Sequence, residues 1–162
     1  MSGASTAEAT IVVGVGNPLL CDDGAGWLVA DAVEVALGQD PRGVAVERLA
    51  VGGLTLMEHL VGFERAILVD ALVTGAVPPG TVRGVTLDSL PGHEAGHVDS
   101  AHDVTLAAAL DAGRALGAAV PDTVEIVTIE AVRVLDVGED LTPAVAAAIP
   151  VARDAVLDLL GR

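Results

Sequence analysis

The sequence predicts an α/β fold: a single domain in which a twisted, mostly parallel sheet of five strands lies between helices. Three observations lead there. Short β-branched runs alternate with segments of helical spacing along the chain, the pattern of strand–helix–strand units. The central run Ala66–Val69 is wholly apolar, as a strand covered on both faces must be. Hydrophobic residues make up 52% of the 162 residues but aromatics only 1%, so the core has to be built from Val, Leu, Ile and Ala. The whole chain, 1–162, reads as one domain without internal repeat or linker, and residues 1–9 are expected to be flexible.

The elements follow in order. Thr10–Gly16 is a β-branched run closed by glycines, a buried strand with a tight loop behind it. Gly24–Leu37 has helical spacing, with Trp27, Leu28, Ala30, Val33 and Leu37 near one side, and Gly38 and Pro41 end it. Val44–Val51 alternates as a second strand, and Gly53–Val61 fits a short helix. Arg65–Asp70 is the central strand. Pro78-Pro79-Gly80 marks a turn before a further alternating strand, Thr81–Leu87. Leu90–Asp99 reads as a loop, Ala101–Leu116 as a helix, Thr123–Ala131 as the last strand, and Thr142-Pro143 opens a final helix to about Leu160.

Charge excludes several functions. The formal net charge of −15 repels phosphate backbones, so no nucleic acid partner is expected. The same charge favours a monomer and attracts basic peptides or cations. All eight basic residues are Arg, which rules out lysine Schiff-base or P-loop chemistry. The single cysteine, Cys21, permits no internal disulfide. No leader pattern and no apolar run near ~20 residues is present, so no membrane partner is expected and the localisation reads as cytoplasmic.

Ligands in open α/β sheets gather beyond the carboxyl ends of the strands. Three segments bring chemistry to that edge. Asp22 and Asp23 follow the first strand, Asp70 closes the central one, and Ser100-Ala101-His102-Asp103 opens the third long helix. Asp70 is costly at a strand end unless solvated, paired or metal-bound; a backbone N–H partner is the plain alternative. Of the two adjacent aspartates, one suits capping of the next helix and the other, Asp23, is assigned to the site. His102 falls in the first turn of a helix capped by Ser100, where the helix end keeps imidazole neutral and able to bind metal; an ordinary surface histidine is the competing reading.

Asp23, Asp70 and His102 together offer two oxygens and a nitrogen and leave coordination positions open, a set suited to Ni²⁺, Zn²⁺ or a similar divalent metal. His93 and His97, flanked by glycines, read as solvent-facing, and His59 as structural or exposed. No nucleophile–base pair is visible: Cys21 reads as a buried inert thiol and Ser100 as a cap. Any hydrolysis is therefore expected to use metal-polarised carbonyl or metal-activated water.

The ordered motifs resemble those of the hydrogenase maturation proteases, nickel-recognising endopeptidases that trim the C-terminal tail of the [NiFe] hydrogenase large subunit. Gly14-Val15-Gly16-Asn17-Pro18-Leu19-Leu20-Cys21-Asp22-Asp23-Gly24-Ala25-Gly26 resembles the family's G-x-G-N-x-L-x-x-D-[DE]-x-x-G. Ile67-Leu68-Val69-Asp70-Ala71 with Gly75 and Pro79-Gly80 resembles its V-D-A…G…P-G. The segment from Ala101-His102 to Leu110 resembles its histidine-led helix, and Gly138 to Val145 its G-x-x-L-[ST]-P-x-V. The four span about residues 10–160. The resemblance implies metal ligands at Asp23, Asp70 and His102 that recognise nickel already inserted in the large-subunit precursor, so that nickel arrives with the substrate. One motif departs: where many members carry G-T-x-G after the second strand, this chain has Gly52-Gly53-Leu54-Thr55, which bears on which hydrogenase is served.

Three other readings compete. Gly16-Asn17-Pro18 also suits a peptidyl-tRNA hydrolase-like esterase, but that leaves Asp70 and His102 unexplained and the charge opposes tRNA. A dinucleotide-binding oxidoreductase fails on spacing, with Leu19 where the third glycine belongs. A non-enzymatic nickel or hydrogenase-binding chaperone would use the same three ligands and differs only in turnover.

Overall fold

The computed structural model describes residues 9–39, 42–89 and 105–161. The expected flexible stretch 1–9 therefore falls, but for Ala9, outside the described residues.

Five strands form one sheet: β1 (Thr10–Val15), β2 (Val44–Leu49), β3 (Arg65–Leu72), β4 (Val82–Thr86) and β5 (Thr123–Glu130), in the spatial order β2-β1-β3-β5-β4. The β1·β2, β1·β3 and β3·β5 pairings are parallel and β4·β5 is antiparallel, so the sheet is mostly parallel as expected. The reversal at β4 has a local cause. A parallel return needs a crossover of about a dozen residues or more, usually helical. The link from β3 to β4 is the helix-free stretch 73–81 with its Pro78-Pro79-Gly80 turn. Among the described residues four α-helices complete the fold: α1 (Ala25–Leu37), α2 (Gly53–Leu60), α3 (Leu106–Ala115) and α4 (Pro143–Leu159).

The sheet has an apolar layer on each face. On one, Val12, Ile67, Val69 and Val127 meet Val29 and Val33 of α1 and Val145, Ala148 and Ala152 of α4. On the other, Ile11, Val13, Leu68 and Ile126 meet Leu56 and Leu60 of α2 and Leu106 and Leu110 of α3. Because side chains alternate along a strand, β1 and β3 feed both layers, and that is why their sequences are continuously apolar. Helix α1 lies so close to the sheet that a Cβ on Gly26 would sit 2.5 Å from the Val15 carbonyl oxygen and 2.6 Å from that of Val69. This fixes the start of α1 above the ends of β1 and β3.

One helix face and two boundaries differ from expectation. The buried stripe of α1 is Ala25, Gly26, Val29, Ala30 and Val33, whereas Leu28 is exposed. Strand β3 continues two residues past Asp70, so that carboxylate lies within the strand rather than at its tip. Helix α3 begins at Leu106: Thr105 is extended (φ −60°, ψ 155°) and its hydroxyl accepts the Ala108 N–H at 3.2 Å. Thr105 is the cap of this helix; Ser100 and His102, expected at its start, lie outside the described residues. Among the described residues no helix is long and apolar enough to cross a membrane.

Candidate active site

The buried polar side chains among the described residues are Asp22, Asp23, Asp70, Thr128 and Glu130, and all of them gather at the carboxyl end of the parallel strands. Their partners separate structural groups from candidate functional ones.

The loop after β1 turns sharply at Gly16, whose φ of 143° and whose closeness to the Asp23 carbonyl oxygen (1.9 Å from an added Cβ) admit no side chain. A short 3-10 turn, Cys21–Gly24, follows and leads directly into α1. Neither aspartate in it caps the helix, because Gly24 stands at the cap position without a side-chain bond. The expectation that one of the pair caps is thus corrected.

Asp22 is instead a staple. Its Oδ2 accepts the N–H groups of Val132 (3.1 Å) and Arg133 (3.0 Å), and its Oδ1 accepts the N–H of Thr142 at 2.7 Å. The Thr142 hydroxyl donates to the same carboxylate at 2.9–3.0 Å. Burial pushes the Asp22 carboxyl up, but bonds from the Arg133, Thr142 and Val132 amides and the Thr142 hydroxyl outweigh it and hold it below the ordinary 3.8. Backbone bonds reinforce the join: Cys21 N–H to Gly138 O (2.7 Å), Gly138 N–H to Leu19 O (2.8 Å) and Asp22 N–H to Arg133 O (2.8 Å). The first and last sequence motifs are therefore two halves of one contact.

Asp23, one residue on, is buried and accepts the Asn17 N–H at 2.8 Å. Asp70 is fully buried in β3 and stands in register with Thr128 of β5, which stands in register with Arg83 of β4. Paired residues share a face, so Asp70, Thr128 and Arg83 form one row across the sheet. Two buried carboxylates thus occupy the carboxyl ends of the adjacent strands β1 and β3, and the 3-10 turn carrying Asp23 packs on β3. Among the described residues no three His, Cys, Asp or Glu side chains converge on one metal position. The third sequence-assigned ligand, His102, lies outside the described residues, as do His93, His97 and the Gly92–His97 loop.

Other assignments are placed directly. Gly52–Thr55 forms the entry to α2 at the end of β2. His59 is exposed on α2, its Nδ1 3.2 Å from the Glu47 carboxylate, away from the carboxyl edge. Cys21 is buried in a left-handed conformation, φ 48°. Sequence reasoning missed Glu130, whose buried carboxylate accepts the N–H groups of Thr74 (3.0 Å) and Gly75 (2.8 Å) and the Thr74 hydroxyl, fixing the loop after β3. No local pattern marks Glu130, because its partners lie 55 and 56 residues away.

Fold and site define an α/β domain whose mostly parallel sheet carries buried carboxylates at the carboxyl ends of its adjacent strands β1 and β3. Comparison with known proteins makes this specific. The family model for hydrogenase maturation protease, HycI, matches residues 42–159. The chain resembles the hydrogenase maturating endopeptidase HybD of E. coli, with 28% identity, 93% of this chain and 91% of that one covered, and a TM-score of 0.69. It also resembles the [NiFe] hydrogenase maturation protease HybD of Thermococcus kodakarensis, with 25% identity, 93% and 97% covered and a TM-score of 0.63. The fold matches that of the HycI protease of the same archaeon at a TM-score of 0.68, with 16% identity and 98% and 96% covered. Comparison with curated proteins gives no match. The chain belongs to the hydrogenase maturation protease family and is an endopeptidase.

Proposed function

We propose that this endopeptidase removes the C-terminal extension of a [NiFe] hydrogenase large-subunit precursor after nickel insertion, acting in the cytoplasm as a monomer. The observation that carries the reading is the different use of two adjacent aspartates. Asp22 is consumed by the fold, while Asp23 is buried beside it on a turn that packs against the strand carrying Asp70. Two buried carboxylates with an imidazole from His102 fit Ni²⁺ by donor chemistry, and Zn²⁺ or a similar divalent ion equally well. Nickel enters as part of the substrate, and the three side chains complete its coordination as a test of readiness. The metal, when present, supplies Lewis-acid polarisation for hydrolysis. The chain's own part is to hold Asp23 on the Asn17 amide, to keep Asp70 rigid within a paired strand, and to seat the scissile segment near Gly52–Thr55 and Gly92–His97.

The test is the intact mass of nickel-loaded precursor before and after incubation, with nickel-free precursor, Asp70→Ala and Cys21→Ser proteins as controls. Loss of a short C-terminal peptide is expected only with nickel and an intact Asp70, and Cys21→Ser is expected to cut normally. Full activity of Asp70→Ala would sink the ligand assignment. Association without any mass change would replace protease by chaperone.

A further inference from the structure

Beside the candidate site, large apolar side chains stand in solvent on a backbone that is firmly held. Leu19 is 56% exposed, Val132 52%, Leu135 86% and Val137 87%. They belong to two loop segments joined to each other: Leu20 and Gly138 form a β-bridge, and Gly138 N–H donates to Leu19 O at 2.8 Å. The Asp22 carboxylate anchors Val132 and Arg133 from below. The ordering cost of this surface is thus already met by the fold, and that makes an apolar row useful for binding. It is continuous with the site, because the loop bearing Leu19 also supplies the Asn17 amide that holds Asp23.

Charge selects the occupant. Around the row lie exposed Asp136, Glu139 and Asp140, and the one basic residue there, Arg133, is paired with Asp136 at 2.8 Å. A second copy of this chain would bring the same acids and a net charge of −15, so self-association on this face is opposed. We propose that the row Leu19, Val132, Leu135 and Val137, with its acidic frame, docks the polypeptide substrate through a segment in which apolar side chains are flanked by Arg or Lys. The inference rests on the protease reading above and adds where, and by what chemistry, the substrate is gripped.

Two variants test it: Val132→Ser/Leu135→Ser/Val137→Ser, and Glu139→Lys/Asp140→Lys. All five side chains are exposed and none belongs to the site, so both variants are expected to melt with the unmutated protein. With nickel-loaded large-subunit precursor as probe, both are expected to raise KM by roughly tenfold or more with kcat within about twofold. The Lys variant should also lose the salt sensitivity of binding. Unchanged KM, or a loss confined to kcat, overturns the proposal. The Kd for the precursor, measured in parallel, separates this failure from that of the parent reading. Binding without cutting by the unmutated chain sinks the protease assignment alone, and the Kd of the variants still decides the surface. A precursor neither bound nor cut overturns both.

Discussion

Replacing Asp22 by Asn keeps the side-chain shape and removes the charge, and so isolates what the carboxylate does. The two oxygens now receive three backbone N–H groups and one hydroxyl. An amide presents one oxygen and one NH₂, so at least one buried donor faces another donor. A buried donor left unmet costs roughly 1–3 kcal/mol, and bonds to a charged acceptor are worth more than neutral ones. The expected loss is about 3 kcal/mol for Asp22→Asn, a large part of the ~5–15 kcal/mol that holds a domain of this kind together. In a domain of this size that lowers the melting temperature by roughly 10 °C. Urea unfolding, followed by far-UV dichroism and by fluorescence of the single tryptophan, Trp27, measures it directly.

The pH dependence has a definite sign. The folded Asp22 carboxyl is held below its ordinary 3.8, so its contribution is fully present above that value and fades as pH falls through the lower, folded one. The gap between unmutated and Asn proteins should therefore be constant from pH 7 to about 5 and shrink below about pH 4, while other carboxylates cancel in the difference. Equal urea midpoints at pH 7, or a gap unchanged at pH 3, would refute the staple. Below its melting point the Asn variant should still cleave, which separates Asp22 from Asp23.

Two further expectations concern the scaffold. Gly26→Ala drives a methyl against the Val15 and Val69 carbonyl oxygens and should cost about 3 kcal/mol in urea unfolding; a loss under about 1 kcal/mol would mean that α1 lifts freely off the sheet. Pro150 lies exposed inside α4 and denies a bond to the Ala146 carbonyl, so Pro150→Ala should stabilise by about 1–2 kcal/mol, and a lower melting temperature would contradict this.

The alternation of strands and helices, the doubly covered β3 and the acids at the strand ends are written in local pattern, because burial on both faces demands unbroken apolar runs and a charge within them stands out. Asp70 could be picked from sequence for that reason. Where elements meet was not legible. Nothing local marks Thr105 as a cap; it becomes one because Leu106 and Leu110, just beyond it, pack under the sheet. Asp22 and Asp23 look interchangeable in a run of two, since their difference lies in partners 110 to 120 residues away for one and six for the other. Glu130 carries no local mark at all. Sequence by itself determined the elements, their layers and the acidic edge, because periodicity and desolvation act over a few residues. Only the tertiary structure decided that Asp22 joins two distant loops while Asp23 bonds within its own, because a hydrogen bond depends on where distant backbone amides come to rest.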